Sequence, residues 1–229
     1  MKEIFDFFLS DTASKRGDRK LKQGKFQEAI NEYNQALSLN PNDAISYGHR
    51  GFAFAQLGNN HRAIEDYNQA LRLDSSAPAF YNNRGISHEA LGNIKAAIED
   101  FKRVLYIDAS IPQAHFQLGV CYVKLQNYEY AVRVLSRAIA INQRYIAAYG
   151  FRGIAYAGLK KYDKAIKDYD QAIYLKPDYA KAYKFRGLAC IEIGNNLSAM
   201  EDLQKAAGLF FNQGKIAEHQ EVLALTKKN

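Results

Sequence analysis

Apolar residues recur along the chain at the three- and four-residue spacing that is typical of amphipathic helices. In the segment AINEYNQALSL this spacing places Ala29, Ile30, Tyr33, Ala36 and Leu37 on one stripe. Short polar turns separate each such stripe from the next, and we find no convincing strand pattern between them. The hydrophobic pattern therefore predicts an all-α chain of many short helices.

The pattern returns every 34 residues. The six copies, which we number as repeats 1 to 6, are 10–43, 44–77, 78–111, 112–145, 146–179 and 180–213. The eighth residue of each repeat is Gly17, Gly51, Gly85, Gly119, Gly153 or Gly187, and the twentieth is Ala29, Ala63, Ala97, Ala131, Ala165 or Ala199. The twenty-fourth is large and apolar in every repeat. Small residues at fixed places indicate close crossings between paired helices.

Six copies in phase at this period resemble the tetratricopeptide repeat (TPR) family. The departures are the tyrosines where the family usually has tryptophan, and the closing proline, which is kept only at Pro41 and Pro177. The resemblance implies a right-handed α-solenoid of six helix-turn-helix units over 10–213. Residues 1–9 would form an N-terminal apolar extension, and residues 214–229 a C-terminal capping helix.

The repeat pattern also predicts where the helices lie. First helices are expected near Ser10 to Gln23, 44–57, 78–91, 112–125, 146–159 and 180–193. Second helices are expected near 26–39, 60–73, 94–107, 128–141, 162–175 and 196–211. Between repeats 1 and 2, Asn40-Pro41-Asn42-Asp43 should end one helix and cap the next.

The two ends of the chain leave alternatives open. Residues 1–9 either fray or extend the first helix as an apolar tag, with Ile4 and Phe8 on one face and Phe5 and Leu9 on the next. Such a tag would dock on a neighbour's groove or form a dimer contact. Lys215 to Lys228 should form an amphipathic helix that covers the last repeat, or else a swapped or regulatory helix.

One pair of positions changes together between repeats. The seventh residue is Arg16, Arg50, Arg84, Arg152 or Arg186, and the twenty-third in the same repeats is Glu32, Asp66, Asp100, Asp168 or Asp202. Repeat 4 loses both and has Leu118 and Val134 instead. Joint presence and joint loss predict that the two positions meet as a charge-assisted hydrogen bond between helices.

Composition and charge add little to this picture. Apolar residues make up 48% of the chain, which is ample for a buried core. The net charge of +7 gathers at Lys15 to Lys25 and Lys160 to Lys184, which we interpret first as solvated surface lysines and only second as a nucleic-acid site. The only cysteines, Cys121 and Cys190, are expected to be packed thiols, which fits a reducing, cytoplasmic location. No secretory signal or membrane span is apparent in the sequence.

The sequence shows no catalytic or metal-binding motif. The histidines are His49, His61, His88, His115 and His219, and none has the spacing of a metal pair. His88 and His115 fall at aromatic packing positions. We find no phosphate-binding loop and no nucleophile elbow. We therefore predict that the chain is not an enzyme and needs no cofactor or metal.

The TPR resemblance implies a binding groove lined by the first helix of each repeat. Its predicted partner-binding residues are His49, Phe52, Asn82, Asn83, Phe116, Gln117, Phe151, Ile154, Lys184, Phe185 and Leu188. The groove is polar at one end and apolar at the other, with Phe116, Phe151 and Phe185 as apolar anchors. Aromatic and amide groups together suit a peptide or helix of a partner protein.

Some TPR proteins instead hold the acidic carboxyl terminus of a chaperone in a clamp of Lys, Asn, Asn, Lys and Arg. The corresponding positions here are Ser14, Asp18, His49, Ala79 and Asn83, so that clamp is absent. The idiom YNNRG with AIEDYNQAL resembles bacterial, especially cyanobacterial, TPR arrays, including assembly factors. We predict a protein-binding scaffold; the alternatives are a nucleic-acid-binding repeat using the basic ends, or weak self-association through the termini.

Overall fold

The computed structural model describes the backbone of residues 2–226 and the side chains of residue 6 and residues 8–226. Within that range the chain consists of α-helices joined by short turns. The helices are α1 (Lys2–Lys22), α2 (Phe26–Leu39), α3 (Ala44–Gln56), α4 (Asn60–Leu73), α5 (Pro78–Ala90), α6 (Ile94–Ile107), α7 (Pro112–Lys124), α8 (Tyr128–Ile141), α9 (Ile146–Gly158), α10 (Tyr162–Leu175), α11 (Ala180–Glu192), α12 (Asn196–Asn212) and α13 (Ile216–Thr226). The predicted all-α fold of successive helix pairs is confirmed.

Apart from the two ends, the helix bounds agree with the predicted bounds to within about one residue. At the start, α1 begins at Lys2 and not at Ser10, so residues 2–9 continue the first helix. The side chains of Ile4 and Phe5, on which the predicted apolar tag depends, lie outside the described residues. At the other end α13 is described as far as Thr226, and the predicted extension to Lys228 lies outside the described residues.

The helices form two compact units: unit 1 ends at Ala109, and unit 2 begins at Ser110. We call the first helix of each repeat its A helix and the second its B helix. Within each unit a B helix packs on the A helix of its own repeat and on that of the next repeat, and successive A helices also touch. The A helices α1, α3 and α5 therefore form one face of unit 1, and α7, α9 and α11 form one face of unit 2. We call each of these an inner face.

The glycine at the eighth position of each repeat makes room for the large residue at the twenty-fourth. A Cβ atom added at Gly153 would lie 2.5 Å from the ring of Tyr169. A Cβ atom at Gly187 would lie 3.1 Å from the carbonyl oxygen of Ala199, the invariant alanine of that repeat. Such distances leave no space for a methyl group unless the neighbouring groups shift. The prediction that these residues mark close helix crossings is confirmed.

The turns between helices combine side-chain caps with residues of positive φ. Asp43 caps α3 by accepting hydrogen bonds from the backbone N–H groups of Ile45 and Ser46 at 3.0 and 3.2 Å. Glycines adopt positive φ in the turns of repeats 1, 2, 3 and 6, but the equivalent residues of repeats 4 and 5 are Gln126 and Lys160, with φ of 57° and 56°. Gln126 and Lys160 thus adopt a left-handed backbone conformation that glycine would adopt without strain.

The arginine at the seventh position braces the two helices of its repeat. In repeat 5, Nε and Nη2 of Arg152 donate to the two carboxylate oxygens of Asp168 at 2.8 and 2.7 Å. The same bidentate pair recurs in repeats 2, 3 and 6. In repeat 1, Arg16 donates a single bond of 2.7 Å to Glu32. The predicted contact between the seventh and twenty-third positions is confirmed.

Each bidentate arginine makes two further contacts that the sequence analysis missed. Nη1 of Arg152 donates to the hydroxyl of Ser136 in the preceding B helix at 3.0 Å. The guanidinium carbon also lies 5.6 Å from the centre of the Tyr149 ring. Equivalent bonds and ring contacts occur in repeats 2, 3 and 6. The arginine thus joins three helices, and its donors are used within the fold rather than offered to a ligand.

Repeat 4 fills the same two positions with apolar side chains. Leu118 is buried and Val134 is half-buried there. In the charged pairs, by contrast, burial disfavours the charged form of the side chain. It raises the pKa of the Asp168 carboxyl, and the hydrogen bonds from Arg152 offset only part of that rise. The protein therefore contains both a charged and an apolar solution to one packing problem.

We expect the charged solution to fail when only one partner is removed. Arg152→Leu should lower the free energy of unfolding by about 3 kcal/mol, because Asp168 would remain buried without its cation. The double substitution Arg152→Leu with Asp168→Val copies repeat 4 and should recover at least about half of that loss. Urea denaturation followed by circular dichroism measures both, and Asp168→Val alone completes the cycle. Simple additivity of the two single losses would contradict the pairing.

His88 occupies a position where repeats 2, 4 and 5 have phenylalanine or tyrosine. It is half-buried on α5, and its buried Nδ1 atom has no hydrogen-bond partner among the described residues. Burial lowers the pKa of the imidazole; the nearby Asp100 opposes that shift and Arg84 adds to it. The folded protein therefore binds this proton less readily than the unfolded chain.

The sign of this shift predicts a loss of stability in acid. The free energy of unfolding should fall as the pH drops through about 6.5, the ordinary value of histidine in an unfolded chain. His88→Phe should match the wild type near neutral pH and lose the part of the slope that His88 causes. Urea midpoints of both proteins at neutral and mildly acidic pH make the comparison, since the other four histidines contribute equally to each. Parallel pH profiles would refute the assignment.

Candidate functional site

In unit 1 the predicted site residues lie on the inner face but are partly engaged with one another. His49 on α3 is half-buried, and its Nδ1 lies 2.8 Å from a carboxylate oxygen of Asp18. The hydroxyl of Tyr33 donates to the same oxygen at 2.7 Å. On α5, the amide of Asn82 donates to that of Asn83 at 3.2 Å, while Phe52 on α3 is exposed. This part of the inner face is a polar network beside one exposed ring.

In unit 2 the predicted anchors are aromatic rings in contact with other rings. Phe116 on α7 lies edge-on to Phe151 on α9, with centroids 5.4 Å apart, and 5.0 Å from the ring of Tyr145. Phe185 on α11 stacks on Tyr169 of α10 at 6.2 Å. All three predicted phenylalanines are half-buried, so each keeps part of its ring accessible.

Two of these rings line a cavity on the inner face of unit 2. The cavity has a volume of about 380 Å³ and is lined by Gly150, Phe151, Ile154, Tyr169, Tyr179, Lys181, Ala182, Lys184, Phe185, Phe210 and Glu218. Its residues come from α9, α10, α11, α12 and α13 and from the turn before α11. Apolar surface with a few charged groups at such a volume suits the side chains of a bound peptide.

A second cavity of about 390 Å³ adjoins the first. The two share Ile154, Tyr169 and Phe185, and the second adds Leu188. We call the two cavities together the repeat 5–6 trough. Four apolar residues of the predicted site, Phe151, Ile154, Phe185 and Leu188, therefore lie together along one depression.

Models of the tetratricopeptide repeat match the chain over most of its length. The matched ranges are 17–58, 53–92, 78–111, 112–145 and 146–179, which together run without a gap from residue 17 to residue 179. The ranges 78–111, 112–145 and 146–179 each coincide with one helix pair described above. The chain belongs to the tetratricopeptide repeat family.

Solved TPR structures resemble this chain closely in fold. The crystal structure of MamA has a TM-score of 0.70 at 25% identity and covers 76% of this chain and 94% of its own. YrrB, described as a TPR protein with an unusual peptide-binding site, has a TM-score of 0.69 at 26% identity, with coverages of 85% and 97%. A TPR protein from Parabacteroides merdae reaches 0.76 at 17% identity over 96% and 92% of the two chains, a likeness of fold alone.

Curated relatives match a much shorter stretch. Hsp70-Hsp90 organizing protein 1 from Glycine max and Hsp70-Hsp90 organizing protein from Triticum aestivum are each 39% identical over 56 residues. That stretch is 24% of this chain and 10% of either relative. The match therefore reflects shared TPR sequence and does not extend to the whole of those proteins.

Not every predicted residue of this TPR chain reaches the trough. Phe116 and Gln117 are half-buried on α7 and do not line either cavity. Lys184 does line the first cavity, but its ammonium group pairs with Glu221 of α13 at 2.7 Å. The unit 1 residues and the unit 2 residues belong to separate compact units, so they form two candidate surfaces.

Sequence reasoning missed several residues of the trough. Tyr169 carries the signature of a core residue, and its ring is buried although one side faces the trough. Lys181 stands at a groove position of the family but did not belong to the predicted set. Glu218 comes from α13, which lies outside the repeating pattern and so gave no positional signal.

Between residues 2 and 226, no helix combines the length and the apolar character that a membrane crossing requires.

Proposed function

We propose that this TPR protein is a non-catalytic scaffold that binds a peptide or helix of a partner protein on its inner faces, chiefly in the repeat 5–6 trough. The observation that carries the proposal is the pair of adjoining apolar cavities, into which Phe151, Ile154, Phe185 and Leu188 project from two consecutive A helices. TPR proteins bind protein or peptide partners, and the structural relative YrrB is itself described with a peptide-binding site. We further propose that the chain acts as a cytoplasmic assembly factor.

The size and chemistry of the trough indicate what it would bind. A cavity of about 380 Å³ holds more than one large apolar side chain. Burying each phenylalanine or leucine would contribute roughly 1.5–3 kcal/mol, so two or three anchors suffice for a specific complex. His49, Phe52, Asn82 and Asn83 of unit 1 would contact a polar segment of the same partner or a separate one.

A chaperone-type carboxylate clamp does not form part of the proposal, despite the short match to Hsp70-Hsp90 organizing proteins. At one of the clamp positions the chain has Asp18, which already accepts one hydrogen bond from Tyr33 and pairs with His49. A carboxylate at that place repels the acidic terminus that the clamp would hold.

The proposal predicts that removing the aromatic anchors abolishes partner capture. Phe151→Ser with Phe185→Ser should lower recovery of specific partners from a lysate at least about tenfold, because the partner's apolar side chains lose their contacts. Helicity measured by circular dichroism should stay near the wild-type value. The matched control is Tyr106→Ser with Tyr174→Ser, which removes two exposed rings from B helices and should not affect capture. Wild-type capture by the anchor variant would reject the trough as the site.

The nucleic-acid alternative has less support than the sequence suggested. In the basic stretch of unit 1, Lys15 pairs with Asp11 at 2.7 Å and Lys20 with Glu28 at 2.6 Å, so part of its positive charge is neutralised. In the second basic stretch, Lys184 is paired in the same way. These pairs leave fewer free cations for phosphate groups.

Salt dependence separates the two functions. Binding of a recovered partner should weaken only a few-fold between about 50 and 200 mM salt, because apolar contacts dominate. A nucleic-acid complex with six or more phosphate contacts would lose roughly 10³-fold over that range. Fluorescence anisotropy at several salt concentrations makes the measurement, and a steep slope would favour the nucleic-acid alternative.

A further inference from the structure

Helix α13 presents two acidic side chains to two lysines of α11 at the edge of the trough. Glu221 pairs with Lys184, and Glu218 lines the same cavity as Lys181 and Lys184. The acids are three residues apart on α13 and the lysines are three residues apart on α11, so each pair lies on one side of its helix. The two helix edges are complementary in charge.

Lys184 and Glu221 differ in how much each side chain depends on the ion pair between them. The Lys184 side chain is 13% exposed, whereas that of Glu221 is 58% exposed. A charged side chain that is mostly buried is destabilised unless an anion or acceptor accompanies it. An exposed carboxylate can turn into solvent at little cost, because ion pairs at the surface contribute only about 0–1 kcal/mol. Lys184 therefore needs a carboxylate more than Glu221 needs Lys184.

Glu221 can leave Lys184 without unfolding of α13. The helix is held by the buried side chain of Val222 and by His219, whose Nδ1 lies 2.9 Å from the carbonyl oxygen of Ala207. Neither contact involves Glu221. Rotation of one exposed side chain would be enough to free the ammonium group of Lys184.

We propose that Glu221 occupies the place of a partner's carboxylate. The partner segment would insert an apolar anchor into the repeat 5–6 trough and place a carboxylate on Lys184, displacing Glu221. The ammonium nitrogen of Lys184 lies 5.6 Å from the centre of the Phe185 ring, so an anchor packed on Phe185 brings a neighbouring carboxylate within reach. This inference rests on the proposed function of the trough and adds an acidic apolar peptide as the ligand class.

Three short fluorescein-labelled peptides with the same Leu-Phe anchor test the inference by fluorescence anisotropy. The acidic peptide has a glutamate one helical turn after the phenylalanine and an amidated end. The neutral peptide has glutamine there and an amidated end, and the third has glutamine and a free terminal carboxylate. The third peptide distinguishes a terminal carboxylate from a side-chain carboxylate as the group on Lys184.

Glu221→Gln should tighten binding of a carboxylate peptide about fivefold and leave the neutral peptide unchanged, because the competing carboxylate is gone. Lys184→Met should make all three peptides bind equally, and Glu221→Gln should have no effect in that background. The matched controls are Glu201→Gln and Lys205→Met on α12, which change the same charges at exposed positions outside the trough. Neither control should alter the preference.

Several outcomes would overturn the inference. These are an equal effect of Glu221→Gln on all peptides, a carboxylate preference that survives Lys184→Met, and a failure of every protein to bind any peptide. Equal binding of all peptides that is lost in the Phe151→Ser, Phe185→Ser protein would refute the role of Glu221 but support the trough. Retention of binding in that anchor variant would instead count against the proposed function.

Discussion

The contact between the eighth-position glycine and the large residue at the twenty-fourth position fixes how the two helices of each repeat cross. At Gly153 the absence of a side chain lets the ring of Tyr169 approach the backbone of α9. The same ring stacks on Phe185 and forms part of both cavities of the trough. One steric constraint thus sets the helix pairing and also supplies part of the surface of the candidate site. A substitution that disturbs this crossing would be expected to affect stability and binding together.

The arginine brace determines which charged groups remain for a ligand. Arg152 and Arg186 both lie on A helices that line the trough, but each is engaged by a carboxylate, by an acceptor on the preceding B helix and by a tyrosine ring. The charged groups that line the first cavity are Lys181, Lys184 and Glu218. The arginines that recur in the repeats are therefore engaged within the fold. The charged groups available to a ligand in the first cavity come from residues that do not recur from repeat to repeat.

Periodicity also explains what could be predicted from the sequence. The pairing of Arg152 with Asp168 was predictable because both positions vary together in six repeats. The acceptor on the preceding B helix was not predicted. The residues at that position are Asn34, Asn68, Ser136 and Asp170, which all offer a hydrogen-bond acceptor to a bidentate arginine but differ in residue type. A signal was present nonetheless: the residue at that position before Leu118 is Lys102, which cannot accept. Phe151, Ile154, Phe185 and Leu188 could be placed by family geometry, whereas the half-burial of Phe116 against Tyr145 required the three-dimensional packing.

Helix α13 shows why the trough differs from the equivalent surface of any other repeat pair. Residues that recur in every repeat would produce the same surface at every step, so they cannot by themselves select one position on the array. The trough is distinguished by Phe151, Phe185 and Glu218, which line it, and by Glu221, which pairs with Lys184 at its edge; both acids come from a helix outside the repeat. Glu221 pairs with a mostly buried lysine that lines the first cavity, whereas Val222 is fully buried and anchors the helix through packing. Under the role proposed for Glu221, the packing of α13 and its effect on the charge of the trough reside in different side chains, and each can be altered without the other.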